Sequence, residues 1–252
     1  RDLKRARFLF TVMQFAPLVK LGTQITPWAI KSGLPVKGII KNTLFKQFVG
    51  GESLEETVGV ADMLEKFNVQ VILDYGVEGG EGDEDKYEAE ASYFIKVIQF
   101  AATRRNIPFI SIKITGLVSS SLLEKLDTSL STNGVEPLHT RFNTKFQQLS
   151  QEEKAQWEQL MARTVRLCQA ASDAGIGIMI DAEESWIQDA IDVVATQMMA
   201  AFNLGKVVVY NTVQLYRSDR LSYLSNTLEE AEQAGYLAGL KLVRGAYMEK
   251  ER

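Results

Sequence analysis

From residue 69 onward, short aliphatic runs alternate with amphipathic helical patterns, and this alternation limits the fold more than any other feature. Residues 69–74, 108–115, 176–183, 206–214 and 239–247 read as strands. Between them, Ala91, Phe94, Ile95, Ile98 and Ala102 mark one helical face and Trp157, Leu160, Met161, Val165 and Cys168 a second. Ile187, Ala190, Ile191, Val194 and Met198 mark a third, and Leu221, Leu224, Leu228 and Ala231 a fourth that stops at Gly235. Strands alternating with helices through short links form a parallel sheet covered by helices. The last three strand starts, near 176, 207 and 239, lie 31 and 32 residues apart, as repeated βα units require.

Two architectures share this pattern, an open doubly wound sheet and a closed (β/α)8 barrel. Side-chain alternation along the strands separates them. Ile110, Ile112 and Ile114 share one face of the second strand, opposite Phe109, Ser111, Lys113 and Thr115. In the third, Ile176, Ile178 and Ile180 oppose Gly177, Met179 and Asp181; in the fifth, Leu240 and Leu242 oppose Lys241 and Val243. An open sheet packed by helices on both sides wants apolar residues on both faces. One aliphatic and one mixed face fit a barrel, so a TIM-type (β/α)8 barrel is expected, incomplete in this chain with about five of its strands.

Upstream, residues 1–48 read as helical fragments broken by Pro17, Pro27 and Pro35, and Gly50-Gly51 ends them. Ser53 and Glu56 form a capping-box pattern before a helix carrying Leu54, Val58, Ala61 and Leu64. The domain reading is an N-terminal helical arm, 1–68, and a partial barrel, 69–252. Residues 116–150 are polar and read as an excursion or loop, after which Ser150 and Glu153 cap a new helix.

Composition removes several function classes. No apolar run reaches the ~18 residues that span a bilayer. One cysteine, Cys168, excludes an internal disulfide framework, and with one histidine, His139, it cannot supply a four-ligand zinc site. His139 sits in a loop-like stretch, which argues against a Ser-His-Asp hydrolase. The net charge is −4, but residues 1–51 carry nine cations and one anion, +8, leaving −12 for the rest. The basic start reads first as a solvated helical face and second as a contact for an anionic membrane or acidic partner. Gln14 and Pro17 interrupt its apolar run, so it is not a signal peptide; beginning at Arg1, the chain reads as starting inside a longer protein. The glycine-rich 76–85 stretch holds five carboxylates, which repel phosphate, and reads as an acidic loop. Asp181 and Glu184 alternate to opposite sides of a strand, so no metal is expected.

Lys113 and Asp181 are the sharpest pair. Both sit on the mixed face near strand C-terminal ends, where barrel enzymes place their sites. An unpaired charge there is costly, so each is expected to neutralise the other, as a substrate-facing pair or as a structural salt bridge.

Four segments recur in order at strand ends: Ser111-Ile-Lys113-Ile-Thr-Gly-Leu117, Ile180-Asp181-Ala182-Glu183-Glu184, Asn211-Thr-Val-Gln214-Leu-Tyr216 and Leu240-Lys-Leu-Val-Arg244-Gly245-Ala246-Tyr247. Together they resemble the proline dehydrogenase family. The resemblance implies a distorted (β/α)8 barrel with FAD at its C-terminal face, oxidising L-proline to Δ1-pyrroline-5-carboxylate and passing electrons to a membrane quinone. By position it implies that Lys113 contacts the substrate carboxylate, with Asp181 as its active-site partner. It places Ala182 and Gln214 against the flavin, Arg244, Gly245 and Ala246 along the FAD, and Tyr247 on the substrate ring. Lys241 stands where the family often has Arg, supporting the reduced flavin. A hydroxyproline or related cyclic imino-acid dehydrogenase is the alternative, as is an inactive fragment or binding module. The family's paired arginines, which clamp the proline carboxylate, have no counterpart before Arg252, so this chain alone is expected to be inactive. The resemblance further implies a cytoplasmic enzyme peripheral to the inner membrane in a bacterium, or one on the matrix side in mitochondria. No nucleic-acid partner is expected.

Overall fold

A computed structural model describes residues 2–33, 36–45, 49–75, 82–128 and 137–244. Contacts divide the chain into two compact units, residues 1–63 and 64–252.

The first unit is helical. Helix α1 spans Asp2–Met13, α2 Ala16–Lys31 and α3 Val36–Ile40, which runs into a π-helical turn, Lys41–Phe45. Pro17 stands in the first turn of α2, where its missing N–H costs nothing. Pro27 lies inside α2 instead of ending it, a correction to the expected break. Pro35 lies outside the described residues. Helix α4, Leu54–Glu65, begins where the capping pattern sets it: Ser53 Oγ accepts from Glu56 N–H at 3.4 Å. The reciprocal bond goes one residue further back, from Glu52 N–H to Glu56 Oε2 at 3.0 Å.

The second unit is built on five parallel strands: β1 Ile72–Asp74, β2 Phe109–Ile112, β3 Gly177–Ile180, β4 Val209–Gln214 and β5 Leu240–Val243. Their spatial order is sequential, β1-β2-β3-β4-β5, with no reversal. Register pairs Asp74 with Ser111, Ser111 with Met179, Met179 with Tyr210, and Thr212 with Lys241. This is the strand set, direction and order expected of a barrel segment, each strand shorter than the aliphatic run containing it.

The helices are α5 Glu84–Ala102, α6 Ser120–Leu126, α7 Leu138–Gln147, α8 Gln151–Ala174, α9 Ser185–Phe202 and α10 Arg220–Ala234. Ile110, Ile112, Ile178, Ile180, Val209 and Val213 form the buried aliphatic face toward α5, α8, α9 and α10. Each such side chain contributes about 1.5–3 kcal/mol by leaving water. The Ser150–Glu153 capping box starts α8 with both reciprocal bonds formed, and Gly175 ends it at φ 70°. Residues 116–150, expected as an excursion or loop, contain α6 and α7. Ser119 caps α6, whose Leu122, Leu123 and Leu126 are buried, and Phe142 of α7 packs on Trp157, ring centres 4.9 Å apart. Polar composition concealed these short apolar faces.

The α10 stripe also differs from expectation. Leu221 and Leu228 are exposed, while Arg220, Thr227 and Ala231 are buried. An arginine turned inward reads as polar in the sequence, so only its partners reveal the face.

At the N-terminal end of the sheet's other face, the Phe109 and Tyr210 rings meet edge to face, centres 5.5 Å apart. Gly177 lies between them; a Cβ there would stand 2.3 Å from the Phe109 ring. This aromatic floor leaves the polar residues of the same face to the C-terminal end.

Candidate active site

The C-terminal strand ends gather the charges. Asp74 closes β1, Lys113 follows β2, Asp181 follows β3, Gln214 closes β4, and Lys241 lies in β5. Alternation puts all of them on the face that carries Ser111, Met179 and Thr212, away from the covering helices. Asp181 N–H still bonds the Ile112 carbonyl at 2.9 Å, so its position is fixed by the sheet ladder.

Asp181 forms an ion pair with Lys241 Nζ. Lys113 was the partner that alternation singled out, and the structure brings a cation from two strands away instead. The register explains it: Lys241 stands beside Thr212, whose short side chain lets the four-carbon stem cross β4 toward β3. Both members of the pair remain partly open, at 26% and 19% side-chain exposure. Lys113 stays in the same electrostatic group, since its charge acts on Asp74 and Glu183.

Asp74 was read only as the end of the first strand, not as a site residue. Its carboxyl is held above the usual carboxylate range, first by desolvation among its neighbours and then by repulsion from Asp181, against the pull of Lys113 and Lys241. The signal was available: Asp74 ends β1 at the same alternation as Lys113.

Gln214 is buried and held at both ends of its amide. Its Nε2 donates to the Glu183 carbonyl at 2.5 Å, and its Oε1 accepts from Arg217 at 3.3 Å. Arg217 is itself braced by two bonds to Asp219, at 2.9 and 3.1 Å. Sequence reasoning passed over Arg217, which follows Tyr216 at the end of a quoted segment. Glu183, weighed only as a metal ligand, is buried, with both carboxylate oxygens bonded by Thr115. Burial pushes its carboxyl up, against the Thr115 hydrogen bonds and the charge of Lys113.

Ala182 is buried beside Asp181, and Arg244 is exposed just past β5. Gly245, Ala246 and Tyr247 lie outside the described residues. Thr212 Oγ is buried without a hydrogen-bond partner, on the face that carries Gln214 and Lys241. An orphaned hydroxyl, a fixed amide and the cations Lys241 and Arg217 make a donor-rich rim. Such a rim suits a planar ring with polar edges and an anionic tail.

A proline dehydrogenase family model matches residues 58–252. The chain belongs to the proline dehydrogenase family. Mitochondrial proline dehydrogenase 1 of Dictyostelium discoideum is 29% identical over 238 residues, covering 86% of this chain and 42% of that protein. Hydroxyproline dehydrogenase of Xenopus laevis is 28% identical over 276 residues, covering all of this chain and 57% of that protein. The chain therefore spans about half the length of the curated relatives it matches. Proline utilization A of Bdellovibrio bacteriovorus, crystallised after inactivation by N-propargylglycine, superposes with TM-score 0.64 at 17% identity. The match covers 85% of this chain and 22% of that one, and at this identity it shows the fold: the TIM-barrel-like architecture expected from strand alternation.

Proposed function

We propose that this chain is the helical arm and first five strands of an FAD-dependent proline dehydrogenase that oxidises L-proline to Δ1-pyrroline-5-carboxylate. The observation that carries the reading is the Asp181–Lys241 pair, partly open at the C-terminal mouth of a chain in this family. The donors suit FAD: Gln214 and Ala182 would hold its ring, and Arg244, with Gly245 and Ala246 as the family resemblance implies, would hold the dinucleotide. FAD, once bound, supplies the two-electron acceptor.

The protein's own residues do the rest. Lys113 would receive the substrate carboxylate, and Tyr247 is the residue the family resemblance assigns to the substrate ring. Asp181 orients Lys241 through their ion pair. Lys241 holds a preorganised cation where negative charge develops during the oxidation. Electrons leave to a membrane quinone. The contact proposed is peripheral, from the bacterial cytoplasm or the mitochondrial matrix side; no helix among the described residues is long and apolar enough to cross a membrane.

Hydroxyproline is the second reading, supported by the Xenopus relative. One experiment separates them. The full-length protein is purified, its visible spectrum recorded, and L-proline or hydroxyproline added without oxygen. Flavin absorbance bleached faster by proline is the expected result. Faster bleaching by hydroxyproline selects the second reading, and a protein that binds no flavin rejects both.

A further inference from the structure

Every hydrogen-bonding group of Glu183 is used, and the bonds reach three neighbours: Thr115, Gln188 and Gln214. Thr115 N–H donates to Oε1 at 3.1 Å and Thr115 Oγ to Oε2. Glu183 N–H donates to Gln188 Oε1 of α9 at 2.9 Å. The Glu183 carbonyl accepts from Gln214 Nε2 at 2.5 Å. Gln188 continues to Asp192 Oδ1 at 2.9 Å, which anchors the group to the helix layer.

Two of these connections matter for the site. Thr115 stands two residues after Lys113, and Glu183 two after Asp181. Their bond ties together the two strand extensions that carry those charges. The same residue's carbonyl holds the Gln214 amide. A buried carboxylate is a costly way to fill space, since an apolar side chain of like volume loses no hydration. Its place is explained by what it fixes.

We infer that Glu183 is a positioning residue: its buried carboxylate clamps the end of β3 to the end of β2, setting Lys113, Asp181 and Gln214 relative to one another. It touches neither substrate nor cofactor. The inference rests on the proline dehydrogenase reading of the mouth.

The test uses the full-length protein loaded with FAD and the variants Glu183→Ala, Glu183→Gln and Thr115→Val. Flavin fluorescence on titrating FAD into apoprotein gives affinity, and steady-state and single-turnover rates give kcat and KM. Displacing reacting groups by about 1 Å costs ~10²-fold. Glu183→Ala, folded by circular dichroism, is therefore expected to lose about 10²-fold in kcat and to bind FAD more weakly. Glu183→Gln keeps the shape and an acceptor for Thr115 N–H, and restores most of both. Thr115→Val moves both in the direction of Glu183→Ala. A purely structural role lowers the melting temperature but leaves kcat per bound FAD unchanged. That result in Glu183→Ala, or in Thr115→Val should Glu183→Ala not fold, overturns the inference. Wild-type protein that binds FAD but is not bleached by proline rejects the substrate reading instead; FAD affinity across the variants then still tests the clamp.

Discussion

Asp181–Lys241 at the mouth and Asp192–Arg220 behind β4 use the same chemical groups to different ends. Asp192 and Arg220 are 1% and 5% exposed at the side chain, and both Asp192 oxygens have fixed partners. Asp192 Oδ1 accepts from Gln188 and Asn211, both at 2.9 Å, and Oδ2 from Arg220 at 2.7 Å. Burial still pushes the Asp192 carboxyl up, with Arg220 and the two amides pulling it back. The mouth pair has fewer fixed partners and is more exposed. A cation–carboxylate pair is a brace when its remaining lone pairs are spoken for, and a candidate working group when they are left for something else.

The first way to break this contrast is to remove one partner of the buried cluster. Arg220→Met strands Asp192 in a dry site and is expected to cost about 3–5 kcal/mol, read from denaturant unfolding. Cys168 supplies a second readout. Burial pushes its thiol up to about 12, so it should label only when the helix layer opens, and faster in this variant. A loss typical of an exposed pair, below about 1 kcal/mol, would erase the distinction.

Lys241→Met tests the other side. Flavin reduction by proline in the full-length enzyme is expected to slow by roughly 10²–10³, the cost of losing one preorganised donor. The melting temperature should move far less than in Arg220→Met. Stopped-flow absorbance and a thermal scan on the same sample measure both. A stability loss equal to that of Arg220→Met would make the mouth pair a brace as well.

Asn211→Leu sharpens the comparison inside the buried cluster. Asn211 Nδ2 reaches Asp192 at 2.9 Å and the Tyr223 hydroxyl at 2.8 Å. Leaving those groups short of a donor should cost about 1–3 kcal/mol of unfolding free energy while changing flavin affinity little. Unfolding unchanged from wild type would mean the cluster is slack.

The smallest expected effect is at the cluster's half-exposed end. Partial burial raises the Asp219 carboxyl, but the bonds and charges of Arg220 and then Arg217 win, bringing it down to about 2. Its contribution is therefore complete above the ordinary aspartate range near ~3.9 and lost as pH falls toward about 2. Asp219→Asn should flatten the fall in melting temperature across that window. An identical acid profile for variant and wild type would show that other carboxylates govern it.

Several parts of the molecule were legible because they depend on local pattern. Ser150 and Glu153 set the start of α8, and Gly235, at φ 75°, the end of α10. The alternation of Ile110 and Ile112 against Ser111 and Lys113 gave both faces of β2. The inward turn of Arg220 was hidden, since nothing near it in the sequence announces Asp192. Glu183 was hidden for a like reason: a carboxylate after a strand reads as solvated until Thr115 and Gln188 close around it.

The sequence by itself determined which residues form strands, which face each strand turns to the helices, and that the polar residues of the other face collect at the C-terminal ends. Those follow from a period of two and from the cost of burying charge, both written in adjacent residues. Which cation meets Asp181 was decided only by tertiary structure. Lys113 and Lys241 share its face, and the choice depended on the stagger that sets Lys241 beside the short Thr212. Register between strands is a property of the assembled sheet, fixed by packing far along the chain.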